Sequence, residues 1–109
     1  MNDTLPIQPF TAPVRGSVEI PGSKSLTNRA LVLAALAKGQ TRLEGCLFSE
    51  DTEIMGDALA RLGIPLHRDK EHRTIEVTGN GASWKAAQAE LFVGNAGTAA
   101  RFLTAMLCL

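Results

Sequence analysis

The sequence predicts an α/β fold with elements in the order β-α-β-α-β-β, followed by the start of another β-α pair. Three observations carry this prediction. Helical and strand-like periodicities alternate along the chain. Two short strand-like runs flank a charged turn, Asp69-Lys70-Glu71-His72-Arg73, as in a hairpin. One strand–turn–helix device also occurs twice, at Pro21–Arg29 and again at Gly94–Arg101.

In chain order, residues 1–13 read as an irregular arm and Arg15–Ile20 as a first strand. Pro21 and Gly22 stop that strand, and Ser23 and Ser25 offer N-caps for a helix that runs to Ala37. This helix is apolar on most faces (Leu26, Ala30, Leu33 and Ala37 on one, Leu31, Val32 and Leu36 beside them), so it should be buried. Lys38-Gly39 reads as its stop signal. Gln40–Cys46 is the next strand. Ser49 caps a second helix, with Glu50 and Asp51 where the helix dipole favours acids. Ile54, Met55, Ala58, Leu59 and Leu62 fall at core spacing, and Gly63 ends the helix. Ile64–Arg68 and Thr74–Thr78 form the hairpin, and Asn80-Gly81 is a turn. Ser83–Glu90 fits no single period. Leu91–Val93 reads as a short strand leading into a last helix with Arg101 near its start.

The chemistry suggested by this pattern is anion binding. A helix start leaves backbone N–H groups unpaired, and its dipole favours negative charge there. Lys24 adds a full positive charge at the first such start, and Arg29 adds a planar fork suited to phosphate or carboxylate. At the second start, Gly94-Asn95-Ala96-Gly97-Thr98 is a small-residue turn, with Gly97 placed to let a ligand approach the backbone. Two such starts suggest one polyanionic ligand between them. A nucleotide-binding P-loop fails on spacing, because Ser23 separates Gly22 from Lys24 and Gly16 lies too far upstream. Asp51 is a candidate to hold Lys24 or Arg29 in place. Glu50 and Glu53 read as helix capping, His67 and His72 as solvated hairpin residues, and Trp84 as packing.

Composition excludes other classes. The 109 residues carry zero formal net charge, so nothing global points to nucleic acid. The longest apolar run, Ala30–Ala37, is too short to span a membrane, and residues 1–10 lack the apolar core of a signal peptide. Cys46 and Cys108 match no metal or redox spacing and read as buried free thiols in a reducing, cytoplasmic compartment. The sequence stops at Leu109 inside an apolar helical pattern with no closing signal, so it reads as the N-terminal piece of a longer chain.

Together, Pro21-Gly22-Ser23-Lys24-Ser25-x-Thr27-Asn28-Arg29-Ala30-Leu31 and Leu91-Phe92-x-Gly94-Asn95-Ala96-Gly97-Thr98-Ala99-x-Arg101 closely resemble the two N-terminal signatures of the 5-enolpyruvylshikimate-3-phosphate synthases. Their separation is also similar to that family's. The resemblance implies an enolpyruvyl transferase fold, an inverse α/β barrel of repeated β-α-β-α-β-β units, here truncated. Residues 1–20 would be an arm and first strand free to pack with a domain absent here, and 21–109 a partial domain. The implied reaction moves the enolpyruvyl group of phosphoenolpyruvate onto the 5-hydroxyl of shikimate 3-phosphate and releases phosphate, in aromatic amino acid biosynthesis. It passes through a tetrahedral ketal phosphate and needs no metal or other cofactor.

Carried over by residue, the resemblance implies that Lys24 is catalytic and contacts both substrates. Ser25 and Arg29 would bind shikimate 3-phosphate. Asn95, Gly97 and Thr98 would bind phosphoenolpyruvate, with Asp51 and Arg101 in support. The partners implied are these two substrates, with neither nucleic acid nor membrane, in a cytoplasmic, monomeric full-length protein. The fragment alone would be inactive. Phe102 departs from the proline that several members carry there, which puts sensitivity to the inhibitor glyphosate in question. Two alternatives stand beside this reading. One is the sister enzyme acting on UDP-N-acetylglucosamine, against which Ser25 and Arg29 argue. The other is a non-catalytic anion-binding module.

Overall fold

A computed structural model describes residues 3–85 and 88–109. Residues 1 and 2 of the expected arm, and 86 and 87 of the ambiguous Ser83–Glu90 stretch, lie outside the described residues. The elements are α1 (Lys24–Leu36), β1 (Lys38–Glu44), α2 (Glu50–Arg61), β2 (Leu66–Asp69), β3 (Thr74–Asn80) and α3 (Gly97–Leu107). The three strands form one antiparallel sheet in the order β1-β3-β2.

The sheet has one dry face and one wet face because its side chains alternate. In register, Leu43 lies opposite Ile75, and both Thr41 and Leu66 lie opposite Val77. Ile75 and Val77 are buried, and together with Leu31 and Ala35 of α1 and Met55 and Leu59 of α2 they form the centre of the core. On the other face Arg42, Glu76 and His67 form a cross-strand row, and Arg42 bonds Glu44 and Glu76 at 3.2 Å each. The α3 helix packs against α1 and α2 through Ala99, Leu103 and Met106.

Local chemistry fixes the helix starts. Ser23 caps α1, its side chain accepting the Leu26 N–H at 3.2 Å. Ser49 caps α2 within a reciprocal capping box completed by Thr52, and Glu50, Asp51 and Glu53 occupy its first turn. The α3 helix begins after Ala96 with no side-chain cap.

The chain departs from the expected elements in several places, and α1, expected to be buried, leaves Leu26 and Leu33 64% and 68% exposed. Arg15–Ile20 is not a strand, since nothing among the described residues pairs with it. Val18 and Ile20 are 85% and 78% exposed, and a lone extended segment has no ladder to stabilise it. Among the described residues it is tied by a hydrogen-bonded ion pair between Glu19 and Arg73 of the hairpin turn, which holds the Glu19 carboxyl below its usual range. Leu91–Val93 is likewise irregular. Leu91 and Val93 pack on the core from a loop while Phe92 is exposed. Lys38-Gly39 does not close α1. The helix ends at Leu36 and these two residues open β1, where Lys38 and Gly39 pair with Asn80 and Gly79. Finally, Cys46 is buried but Cys108 is exposed.

Gly22 is required by packing. A Cβ there would lie 2.3 Å from the Gly45 carbonyl oxygen and 2.8 Å from the Leu47 nitrogen, so the entry to α1 is pressed against the β1–α2 loop. Replacing Gly22 by Ala should destabilise the fold by about 1–3 kcal/mol, the usual scale for overpacking against backbone. Ser49→Ala should cost about 1 kcal/mol through the lost cap. Urea midpoints of the two variants against the parent chain check both values, and an unchanged midpoint for Gly22→Ala would contradict the close approach.

Candidate anion-binding site

The site starts from how α1 and α3 lie together. Phe102 of α3 borders the same hollow as Arg29, Val32 and Leu33 of α1. One turn further, Ala105 and Met106 of α3 border a second hollow with Val32 and Leu36 of α1. Residue numbers rise together along both helices, so they run parallel and their N-termini open at the same end. On α3, Ala105 borders the second hollow and Ala99 is fully buried, and such small side chains let neighbouring backbones approach closely.

Of the three helix starts, two suit an added anion. The first turn of α2 holds its own carboxylates and a closed capping box. The first turns of α1 and α3 carry no acidic residue. In α1, Ser23 takes only the Leu26 N–H, and the Thr27 N–H bonds the Ser23 carbonyl at 2.9 Å. The N–H groups of Lys24 and Ser25 have no acceptor among the described residues. In α3 the Gly97 N–H bonds the Asn95 carbonyl at 3.0 Å, while those of Thr98 and Ala99 have none among the described residues. Each end therefore offers free donors and a favourable dipole.

Lys24 stands at the first of these ends, with its Nζ 3.1 Å from the Asp51 carboxylate. Asp51 comes from the first turn of α2, which the capping box aims at α1. The Lys24 side chain remains 53% exposed, so this pair is weak and can be exchanged for another anion. Ser25 and Arg29 are exposed, as are Asn95 and Gly97, and Thr98 is half-buried. Arg101 is the fifth residue of α3 and exposed, and has no hydrogen bond or ion pair among the described residues.

The two glycines of the second turn differ in their reasons. Gly94 takes φ +49°, the left-handed region, so the turn itself calls for glycine there. Gly97 has an ordinary helical role, and a Cβ on it would meet nothing within 4 Å. Neither backbone strain nor packing within the described residues requires glycine at 97, and the space beside it is open.

The sequence reading passed over two residues of α1. Thr27 is buried: its hydroxyl donates to the Ser23 carbonyl at 2.7 Å and accepts the Leu47 N–H at 3.1 Å, tying the helix start to the β1–α2 loop. Asn28 is fully buried, and neither its side-chain nitrogen nor its side-chain oxygen has a partner among the described residues. The available signal was a pair of polar residues on the inner side of an otherwise apolar helix.

The remaining features do not compete for an anion. A wide hollow lies on the outer face of the sheet, between Arg42, Glu44, His67, Asp69, His72, Thr74 and Glu76. Its carboxylates outnumber its permanent cation, Arg42, which is already paired. Within it His72 Nδ1 lies 2.8 Å from Asp69, and hydrogen bonds from the His72 backbone and side chain hold the Asp69 carboxyl below its usual range. Burial pushes the Cys46 thiol up, which disfavours the nucleophilic thiolate. Among the described residues no three His, Cys, Asp or Glu side chains are grouped to hold a metal ion, and no helix is long and apolar enough to cross a membrane.

Comparison with known proteins identifies the family. The family model described as EPSP synthase (3-phosphoshikimate 1-carboxyvinyltransferase) matches residues 10–109. A protein of Opitutus terrae named 3-phosphoshikimate 1-carboxyvinyltransferase is 57% identical over 105 residues, covering 95% of this chain and 24% of its own length. One of the same name from Trichormus variabilis is 52% identical over 107 residues, covering 98% of this chain and 25% of its own. A solved structure of EPSP synthase from Acinetobacter baumannii superimposes with a TM-score of 0.76 at 32% identity, covering 84% of this chain and 21% of that one. The chain thus spans about a quarter of the length of the curated relatives it matches. With both N-terminal signatures in place on parallel helices, this chain belongs to the EPSP synthase family.

Proposed function

We propose that the chain supplies one half of the site of an enzyme that transfers the enolpyruvyl group of phosphoenolpyruvate to the 5-hydroxyl of shikimate 3-phosphate, with release of phosphate. The observation that carries this reading is the shared end of α1 and α3, where two helix starts without acidic residues lie together. Both substrates are anions. Bringing them together costs Coulomb repulsion, which fixed donors and cations offset without reorganising.

Within this reading Lys24 leaves Asp51 to lie between the two ligands, and it stabilises the charge of the tetrahedral ketal phosphate. Ser25 and Arg29 bind shikimate 3-phosphate at the start of α1. Asn95, Gly97 and Thr98 present the α3 start to phosphoenolpyruvate, with the open space at Gly97 taking the ligand. Arg101 adds positive charge one turn behind. Each charge-assisted hydrogen bond of this kind contributes about 1.5–3 kcal/mol. The acid–base groups of the reaction are not among these residues, so the chain alone should not turn over. We place the complete protein in the cytoplasm, as a monomer.

A chimera tests the reading: residues 10–109 replace the matching quarter of the Opitutus terrae relative, and phosphate release is followed with phosphoenolpyruvate and a second substrate. Release is expected with shikimate 3-phosphate and not with UDP-N-acetylglucosamine. A folded chimera that releases phosphate with neither refutes it. In the active chimera, Lys24→Ala should lower kcat/KM by at least about a hundredfold, the scale of a lost electrostatic stabiliser. Near-parental turnover would remove Lys24 from the chemistry. Gly97→Ala should leave the melting temperature unchanged, since its methyl meets no protein atom here, while raising KM for phosphoenolpyruvate more than for shikimate 3-phosphate. Equal rises in both constants would contradict the assignment of this turn.

A further inference from the structure

Asn28 is fully buried on α1, yet neither the nitrogen nor the oxygen of its carboxamide has a hydrogen-bond partner among the described residues. A buried amide left unpaired carries its whole desolvation penalty, so an apolar residue of similar shape would serve a purely structural position better. Its surroundings suggest what it is kept for. Val32, one turn further along α1, shares hollows with Phe102 and Met106 of α3. Stepping back one turn on both parallel helices sets Asn28 across from Thr98 and Ala99. The N–H groups of these two residues have no acceptor among the described residues. The other helix facing α1 offers less, because Ser49 and Thr52 already close the first turn of α2.

We propose that Asn28 is a positioning residue: its side-chain carbonyl accepts an N–H of the first turn of α3 when an anion is seated on that turn. This rests on the function proposed above. Zero exposure keeps Asn28 away from any ligand, so it acts through the α3 turn. The anion takes the outward donors of the turn and draws it against α1. Asn28 takes an inward donor, and the turn is fixed at a set distance from Lys24, one turn up the same helix. The Asn28 oxygen and one inward N–H of the turn are satisfied in one step, and the phosphoenolpyruvate half of the site is registered on the shikimate 3-phosphate half. Ser25 and Arg29, on α1 itself, do not depend on this bond.

The test uses the same chimera, with Asn28→Leu, which keeps the shape and removes the polar atoms. KM for phosphoenolpyruvate should rise by about tenfold or more, the scale of one hydrogen bond, while KM for shikimate 3-phosphate stays within about twofold. The melting temperature without ligand should be unchanged or higher. Both constants staying at parental values, or rising equally, overturns the proposal. A second measurement needs no variant. In the parent chimera the side-chain 15N–1H signals of Asn28 should move on saturation with phosphoenolpyruvate and stay in place with shikimate 3-phosphate alone. Signals that do not respond to phosphoenolpyruvate overturn it as well. A folded parent without phosphate release overturns the function and this inference together. An active parent whose Asn28→Leu form shows no split overturns this inference alone.

Discussion

The parallel packing of α1 on α3 is the constraint on which the rest depends. Helices joined by a short loop normally run antiparallel, and their dipoles then oppose. Here β1, α2 and the hairpin intervene between α1 and α3, and the second helix returns in the direction of the first. Two positive dipole ends are thereby brought to one place, which is unfavourable until something negative lies there. Small side chains on the seam make the approach possible, and the sheet beneath α1 holds that helix through contacts with β1 and β3. The same arrangement leaves Lys24 without a neighbour of its own charge sign on α2, whose first turn is acidic.

How much of this was legible in the sequence depended on how local its cause was. The α2 helix was readable from end to end, because Ser49, the acids behind it and Gly63 are local signals acting within a few residues. The hairpin was readable for the same reason. Arg15–Ile20 has the composition of a strand, but a strand is made by its partner, and among the described residues none pairs with it. Lys38-Gly39 resembled a helix stop because both residue types are common there. The actual stop came two residues earlier, imposed by the pairing of β1 with β3.

The candidate site divides along the same line. Lys24 and its neighbours stood out because charge and small residues are rare at apolar helix starts. The Lys24–Asp51 pair was readable as a possibility, since both residues sit at predicted helix starts, and became definite only with the distance between them. Thr27 and Asn28 drew no attention beyond their place in a signature. Their burial comes from the packing of α1 against its neighbours, which no periodicity within α1 reports. The distinction between Gly94 and Gly97 was also invisible, because a glycine needed for its φ and one with open space beside it look identical in sequence.

The Lys24–Asp51 contact has a consequence for selectivity. A cation with an internal counter-ion is not bare, and any incoming anion competes with a carboxylate tethered beside it. An exposed pair of this kind is worth about 0–1 kcal/mol, so the threshold is low but real. A monovalent, weakly held ion such as chloride gains little beyond what Asp51 already provides. A phosphate or a carboxylate that also engages free backbone donors exceeds it readily. On the function proposed above, Asp51 would act as a resident competitor, keeping the lysine in position while leaving it available to the more highly charged guest.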